Sequence, residues 1–94
     1  ARAMARNVYG PAIEGAELGA RLRKVETPSG LHAMMKFEVL NFADGTRTAW
    51  EVYEAVAAEA LAAGAWYYGT VTPADVQAVL DSAVEKGAFE VKKR

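Results

Sequence analysis

Catalysis in this chain would have to run through a single imidazole. His32 is the lone histidine, and cysteine is absent. A zinc site would therefore need three carboxylates gathered around His32, while disulfides and thiolate metal sites are excluded outright. A nucleophile–base–acid arrangement would also depend on His32. Ser29 lies too near it in a turn, and Ser82 belongs to a separate helical stretch. Glu51 and Glu54 offer a pair of acids, but both fall at a helix start, where solvated carboxylates complement the helix dipole. No phosphate-cradling glycine motif is present. These residues predict a segment that is not an enzyme and needs no metal or cofactor, with His32 an ordinary surface or edge residue.

Bulk properties narrow the class further. Ninety-four residues leave room for one hydrophobic core. At 52% apolar and 24% charged, the chain has a globular rather than a disordered composition. No apolar run approaches the length of a membrane span and no signal-peptide pattern opens the chain, so the expectation is a cytoplasmic protein with no membrane partner. Because the first residue is Ala rather than Met, the chain is expected to be processed or cut from something longer. The net charge of −1 hides a segregation: residues 48–87 carry Glu51, Glu54, Glu59, Asp75, Asp81 and Glu85 against Lys86 alone, a net of −5. Basic residues collect as Arg21, Arg23 and Lys24, and again as Lys92, Lys93 and Arg94.

The elements that would position any function are organised around a corner at residues 41–51. Asp44-Gly45 is a turn dipeptide, since Asp bonds its own backbone and Gly accepts positive φ. Thr48 stands three residues before Glu51, the spacing of a capping box, and Arg47 is placed to pair with Asp44. The helix that begins here, 49–63, is expected to bury Trp50, Tyr53, Val56, Ala57, Ala60 and Leu61 and to stop at Gly64. Thr72, Pro73 and Asp75 repeat the start signal, with cap, first-turn Pro and first-turn acid. Val76, Val79, Leu80 and Ala83 form the buried stripe of that helix, and Gly87 suits the position just past its end.

The flanking segments are less regular. Residues 1–9 show no period and are expected to lack ordered structure. Residues 11–26 read as a helix through Leu18, Leu22 and Val25, with Glu17 and Arg21 at i,i+4. Residues 31–42 fit both periods; helix is preferred, since twelve residues is long for a strand and Met, Leu, Lys and Glu favour helix. Its stripe is Ala33, Phe37 and Leu40, with Leu31, Met34 and Met35 beside them. Residues 89–92 alternate as a short strand, expected to pair with 69–71. The outline is mainly α with a small β-wing: a winged helix-turn-helix-like three-helix core at 31–94, preceded by an N-terminal extension and helix at 1–30 that packs on it.

That outline raises nucleic-acid binding, which the charge opposes. A reading helix needs Arg, Lys, Asn or Gln for phosphates and base edges, whereas this helix offers Gln77 and Lys86 among Asp75, Asp81 and Glu85, and phosphates would repel three acids set against one base. Nucleic acid is therefore not the expected partner, and a DNA-binding winged-helix regulator is the minor alternative. Trp66, Tyr67 and Tyr68 are the strongest interaction signal, because such aromatics are enriched at protein interfaces. The expected partner is a protein or peptide, or the rest of a larger chain, with homodimerisation a further expectation.

Two resemblances bear on these residues. The run from Met35 to Val52 with its Asn41-Phe42-Ala43-Asp44-Gly45-Thr46-Arg47 corner, followed by residues 71–76 and Glu85-Lys86-Gly87-Ala88, resembles the C-terminal winged-helix-like region of bacterial zinc aminopeptidases. The similarity spans roughly residues 31–91 and implies a non-catalytic accessory module; none of that family's zinc ligands or catalytic acids falls on a matching position. Residues 44–48 are also similar to the corner of the PqqD-like peptide-recognition domain, which implies a winged helix that binds precursor peptides by adding a strand to its wing.

Overall fold

Three apolar seams meet at the centre of the computed structural model, in which the backbone of residues 2–93 is described, together with their side chains other than those of residues 2 and 65–67. The chain runs α1 (Arg2–Arg6), β1 (Asn7–Pro11), α2 (Gly15–Leu22), α3 (Ala33–Phe42), α4 (Ala49–Tyr68), α5 (Pro73–Glu85) and β2 (Phe89–Lys93). It is mainly helical with one small antiparallel sheet of β1 and β2. No helix among the described residues is long and apolar enough to cross a membrane.

The core helices start where local chemistry tells them to. Thr72 accepts the Asp75 amide at 3.1 Å, and Pro73 opens α5. The Thr48 hydroxyl accepts the Glu51 amide at 3.2 Å while the Thr48 amide donates to the Glu51 carboxylate at 2.8 Å, a closed capping box. His32, half buried, caps α3: its Nδ1 accepts the Met34 amide at 3.1 Å. Gly87 follows α5 with a φ of 78°, which glycine adopts without strain.

What each helix buries departs in part from its apparent stripe. Val76, Val79, Leu80 and Ala83 of α5 are buried as their spacing predicts. In α3 the buried side chains are Met35, Val39 and Leu40, with Leu31 just before the helix, while Met34 and Phe37 stand about half exposed. An α-helix this apolar all round presents two candidate stripes, and packing against α4 and α5 chooses the one through Val39. In α4 the buried seam is Ala49, Val52, Val56 and Ala60. Trp50, Tyr53 and Ala57 lie at its margin, and Leu61 is 73% exposed. Gly64 does not end α4. It interrupts the helix with φ 125° and ψ 91°, and helical turns resume to Tyr68.

The N-terminal region is ordered rather than irregular. Residues 2–6 are helical, and 7–11 form β1, the partner of β2, with Tyr9 opposite Val91. The 69–71 segment expected to pair with β2 lies instead in the connection between α4 and α5. Helix α2 is shorter than residues 11–26, because the chain from Pro11 to Glu14 is still leaving the sheet. Met4, Tyr9 and Val25 are buried in the same cluster as the helix seams. The Tyr9 hydroxyl accepts from Gln77 Nε2 at 2.9 Å, and Gln77 Nε2 also donates to Asp81 at 2.8 Å, which ties β1 to α5.

Strand β1 also carries the 44–48 corner on its other side. The Gly45 amide donates to the Tyr9 carbonyl at 3.0 Å, and Val8 and Thr48 form an isolated antiparallel bridge. The approach is close enough that a Cβ on Gly10 would lie 2.6 Å from the Gly45 backbone. Gly10→Ala should therefore destabilise the fold by about 3 kcal/mol, the upper end of an overpacking penalty. Gly19→Ala, where the nearest atom to an added Cβ is an Arg23 side-chain nitrogen at 3.9 Å, should instead stabilise by up to about 1 kcal/mol through helix propensity. Urea unfolding of the two variants against the parent chain checks both signs.

Candidate functional site

His32, Ser82 and Glu51 each make hydrogen bonds that shape the fold. His32 Nδ1 is occupied as the α3 cap, and its ring meets Tyr68 edge-on at 4.9 Å. The Ser82 hydroxyl accepts the Glu26 amide at 2.9 Å, and Glu51 closes the capping box. Among the described residues no three His, Cys, Asp or Glu side chains converge as metal ligands.

The structural corner is a dense polar knot. Asp44 Oδ1 accepts from the Thr46 hydroxyl at 2.6 Å and the Thr46 amide at 3.0 Å, and Arg47 reaches Asp44 Oδ2 at 3.1 Å. The same guanidinium donates to the Phe42 carbonyl at 3.1 Å and stacks 5.2 Å from the Phe42 ring centroid. This binds both ends of the turn, so Arg47 serves the fold. The hydroxyl and amide of Thr46, with Arg47 beside them, hold the Asp44 carboxyl below its ordinary range against a smaller opposing effect of desolvation.

The aromatic run is placed at the far end of α4, on the short helical piece after Gly64. Tyr68 is half buried, packed on the core and against His32. The side chains of Trp66 and Tyr67 lie outside the described residues. The exposed surface just before them is unusual in composition. On the second half of α4, Ala57, Ala58, Leu61 and Ala62 carry no charge on the side away from the Val52–Val56 seam, and only Ala57 among them is half buried. From Ala55 to Tyr68 the sole charged residue is Glu59. Leu61 faces the connection to α5 across an open groove of about 260 Å³ that Tyr53, Ala57, Thr70 and Val71 also line.

The apolar spacing of α4 places Leu61 with the core, whereas in the fold it is surface. The signal was present: Ala49, Val52, Val56 and Ala60 complete a four-position seam without it. Met34 and Phe37 form a second exposed apolar pair on α3, with Lys36 Nζ 5.1 Å from the Phe37 ring centroid and donating to the Val25 carbonyl at 3.2 Å.

The polar knot generates a pH prediction. A carboxyl whose folded pKa is depressed contributes stability above its unfolded pKa, and that contribution fades as the pH falls through the folded value. Unfolding at pH 6 and at pH 2.5 should therefore show a loss in the parent chain that is smaller in Asp44→Asn, read as the difference in urea midpoint. Thr48→Ala, which opens the capping box, should cost about 1 kcal/mol at either pH. No family model, curated protein or solved structure matches the chain.

Proposed function

We propose that this chain is a non-catalytic protein-interaction module whose contact surface is the outer face of α4 around Leu61 and the aromatic end Trp66, Tyr67 and Tyr68. The observation that carries this reading is the 73% exposure of Leu61 among the exposed alanines of α4. A lone exposed leucine is ordinary on any protein. A leucine set among exposed alanines, with an aromatic run following on the same helix, has the composition of a contact patch rather than of a solvated surface.

In this reading α3, α4 and α5 make a helix-turn-helix-like core, and the ribbon of β1 and β2 stands as a wing beside it. The resemblance of residues 31–91 to the C-terminal region of zinc aminopeptidases supports an accessory role attached to such an enzyme. DNA recognition is the weaker alternative. The polar side chains that a reading helix would offer, Gln77 and Asp81, are engaged with the Tyr9 hydroxyl, and Glu85 adds a further acid to α5.

Two measurements test the proposal. An antibody raised against this chain should detect, in the source cells, a species several times larger than 10.1 kDa; a band at that mass would remove the attachment to an aminopeptidase. Leu61→Ser combined with Tyr67→Ser should reduce crosslinking to protein partners in those cells several-fold. Leu61→Ser alone should move the unfolding midpoint by only a few °C, because little of that side chain is buried. Unchanged crosslinking in the double variant would sink the interaction reading.

A further inference from the structure

The groove beside Leu61 has a chemistry that narrows its occupant. One wall is apolar, from Tyr53, Ala57 and Leu61 on α4, and Val71 adds an aliphatic residue to the opposite side. That opposite side is the chain between α4 and α5, outside any helix or sheet, which reaches Thr72 in an extended conformation (φ −107°, ψ 156°). Val71 is buried, whereas Thr70 is exposed, and among the described residues no hydrogen bond is made to or from the Thr70 backbone. An occupant that covers Thr70 takes its amide and carbonyl groups out of solvent. A buried group left without a partner costs about 1–3 kcal/mol.

A docked helix has its own backbone satisfied and would leave them unpaired. A peptide in extended form presents free N–H and C=O groups along its edge and would satisfy them.

Charge selects further. Glu54 is exposed, lies on the same face as Ala57 and Leu61, and makes no ion pair among the described residues; nor does exposed Glu59. No basic residue occupies the last turn of α4. Lys86, the single base between residues 48 and 87, is drawn to Glu26 and Glu85 at the other end of α5. A second copy of the chain docking by this same face would bring its own acids against these.

We infer that the groove between α4 and residues 69–71 binds a short extended segment of a partner polypeptide, with an aliphatic side chain against Tyr53, Ala57 and Leu61, its backbone paired with Thr70, and lysine or arginine beside it to meet Glu54. This rests on the interaction-module reading and gives it a ligand class.

The test is titration of the 15N-labelled full chain with a blocked nonapeptide that alternates threonine and valine around a central leucine and carries lysine at both ends. Three companion peptides replace the lysines by glutamates, methylate alternate backbone nitrogens, or set the same leucine and lysines in an alanine-rich helical sequence.

The lysine peptide should shift the Thr70 and Val71 amides and the Leu61 methyl signals. The glutamate peptide should bind about fivefold more weakly, as two exposed charge contacts reverse. Backbone methylation should abolish binding, and Leu61→Ser should weaken it several-fold while its amide spectrum stays dispersed. The inference is overturned if no peptide binds, if the glutamate or methylated peptide binds as well as the lysine peptide, or if the helical peptide binds more tightly. It is also overturned if the shifts map to β2, or if sedimentation shows copies of the chain already occupying one another's groove. None of these results touches the crosslinking measurement, so the interaction module can survive the loss of this ligand.

Discussion

The docking of the 44–48 corner onto β1 is the constraint on which the rest of the structure depends. One backbone hydrogen bond, Gly45 to Tyr9, and one bridge, Val8 to Thr48, join the turn between α3 and α4 to a strand near the N-terminus. Because Gly10 has no side chain, the two backbones can approach closely there. The junction holds the exit of α3 and the entry of α4 against a common strand, whose other edge receives β2. Tyr9, on the same strand, carries its ring into the core and its hydroxyl to Gln77 on α5. A five-residue strand thus touches the corner, the last helix and the closing strand.

This arrangement explains which features were legible in the sequence. Caps act over three residues, so Thr48 with Glu51, and Thr72 with Asp75, announce themselves and appear as hydrogen bonds in the folded chain. Strand β1 acts over about the whole length of the chain. Its sequence, Asn-Val-Tyr-Gly-Pro, has no alternation and ends in a dipeptide that normally marks a turn. Only the presence of β2 and the corner on either side makes it a strand, and local reasoning contains neither. The same cause makes 69–71 the apparent partner for β2: it is the nearest β-prone segment in sequence, whereas the partner that satisfies the strand lies at the opposite end.

Helix faces were legible only where one stripe dominates. Helix α5 has a single apolar side and buries it as its spacing predicts. Helix α3 is apolar nearly all round, and tertiary contacts decide between Phe37 and Val39 as the inward residue. Helix α4 is alanine-rich, and alanine marks neither side strongly. There the choice falls to Val52 and Val56, the large residues whose full burial fixes the rotation of the helix. That rotation carries Leu61 outward. The apolar surface of α4 is therefore half legible: residue type marks Trp66, Tyr67 and Tyr68, whereas Leu61 reads as core unless the Val52–Val56 seam is given. Gly64 was similarly ambiguous. Its positive φ breaks α4 as a terminating glycine would, yet the chain turns back into helix and keeps the aromatic residues attached to the same element.

The outer face of α4 is also the part of the molecule the fold needs least. Buried apolar area stabilises at roughly 25 cal/mol per Å², and a side chain left 73% exposed contributes little of it. The alanines around Leu61 add helix propensity, which lysine or glutamine would supply almost as well while improving solubility. The helix would stand equally firm with a polar outer face, because its inner seam and its capping box are independent of that side. Acids, by contrast, are retained at Glu54 and Glu59 and left without intramolecular partners among the described residues. A surface that is apolar without a folding reason, and acidic without an internal ion pair among the described residues, has the composition that the proposed contact with an apolar and basic partner requires.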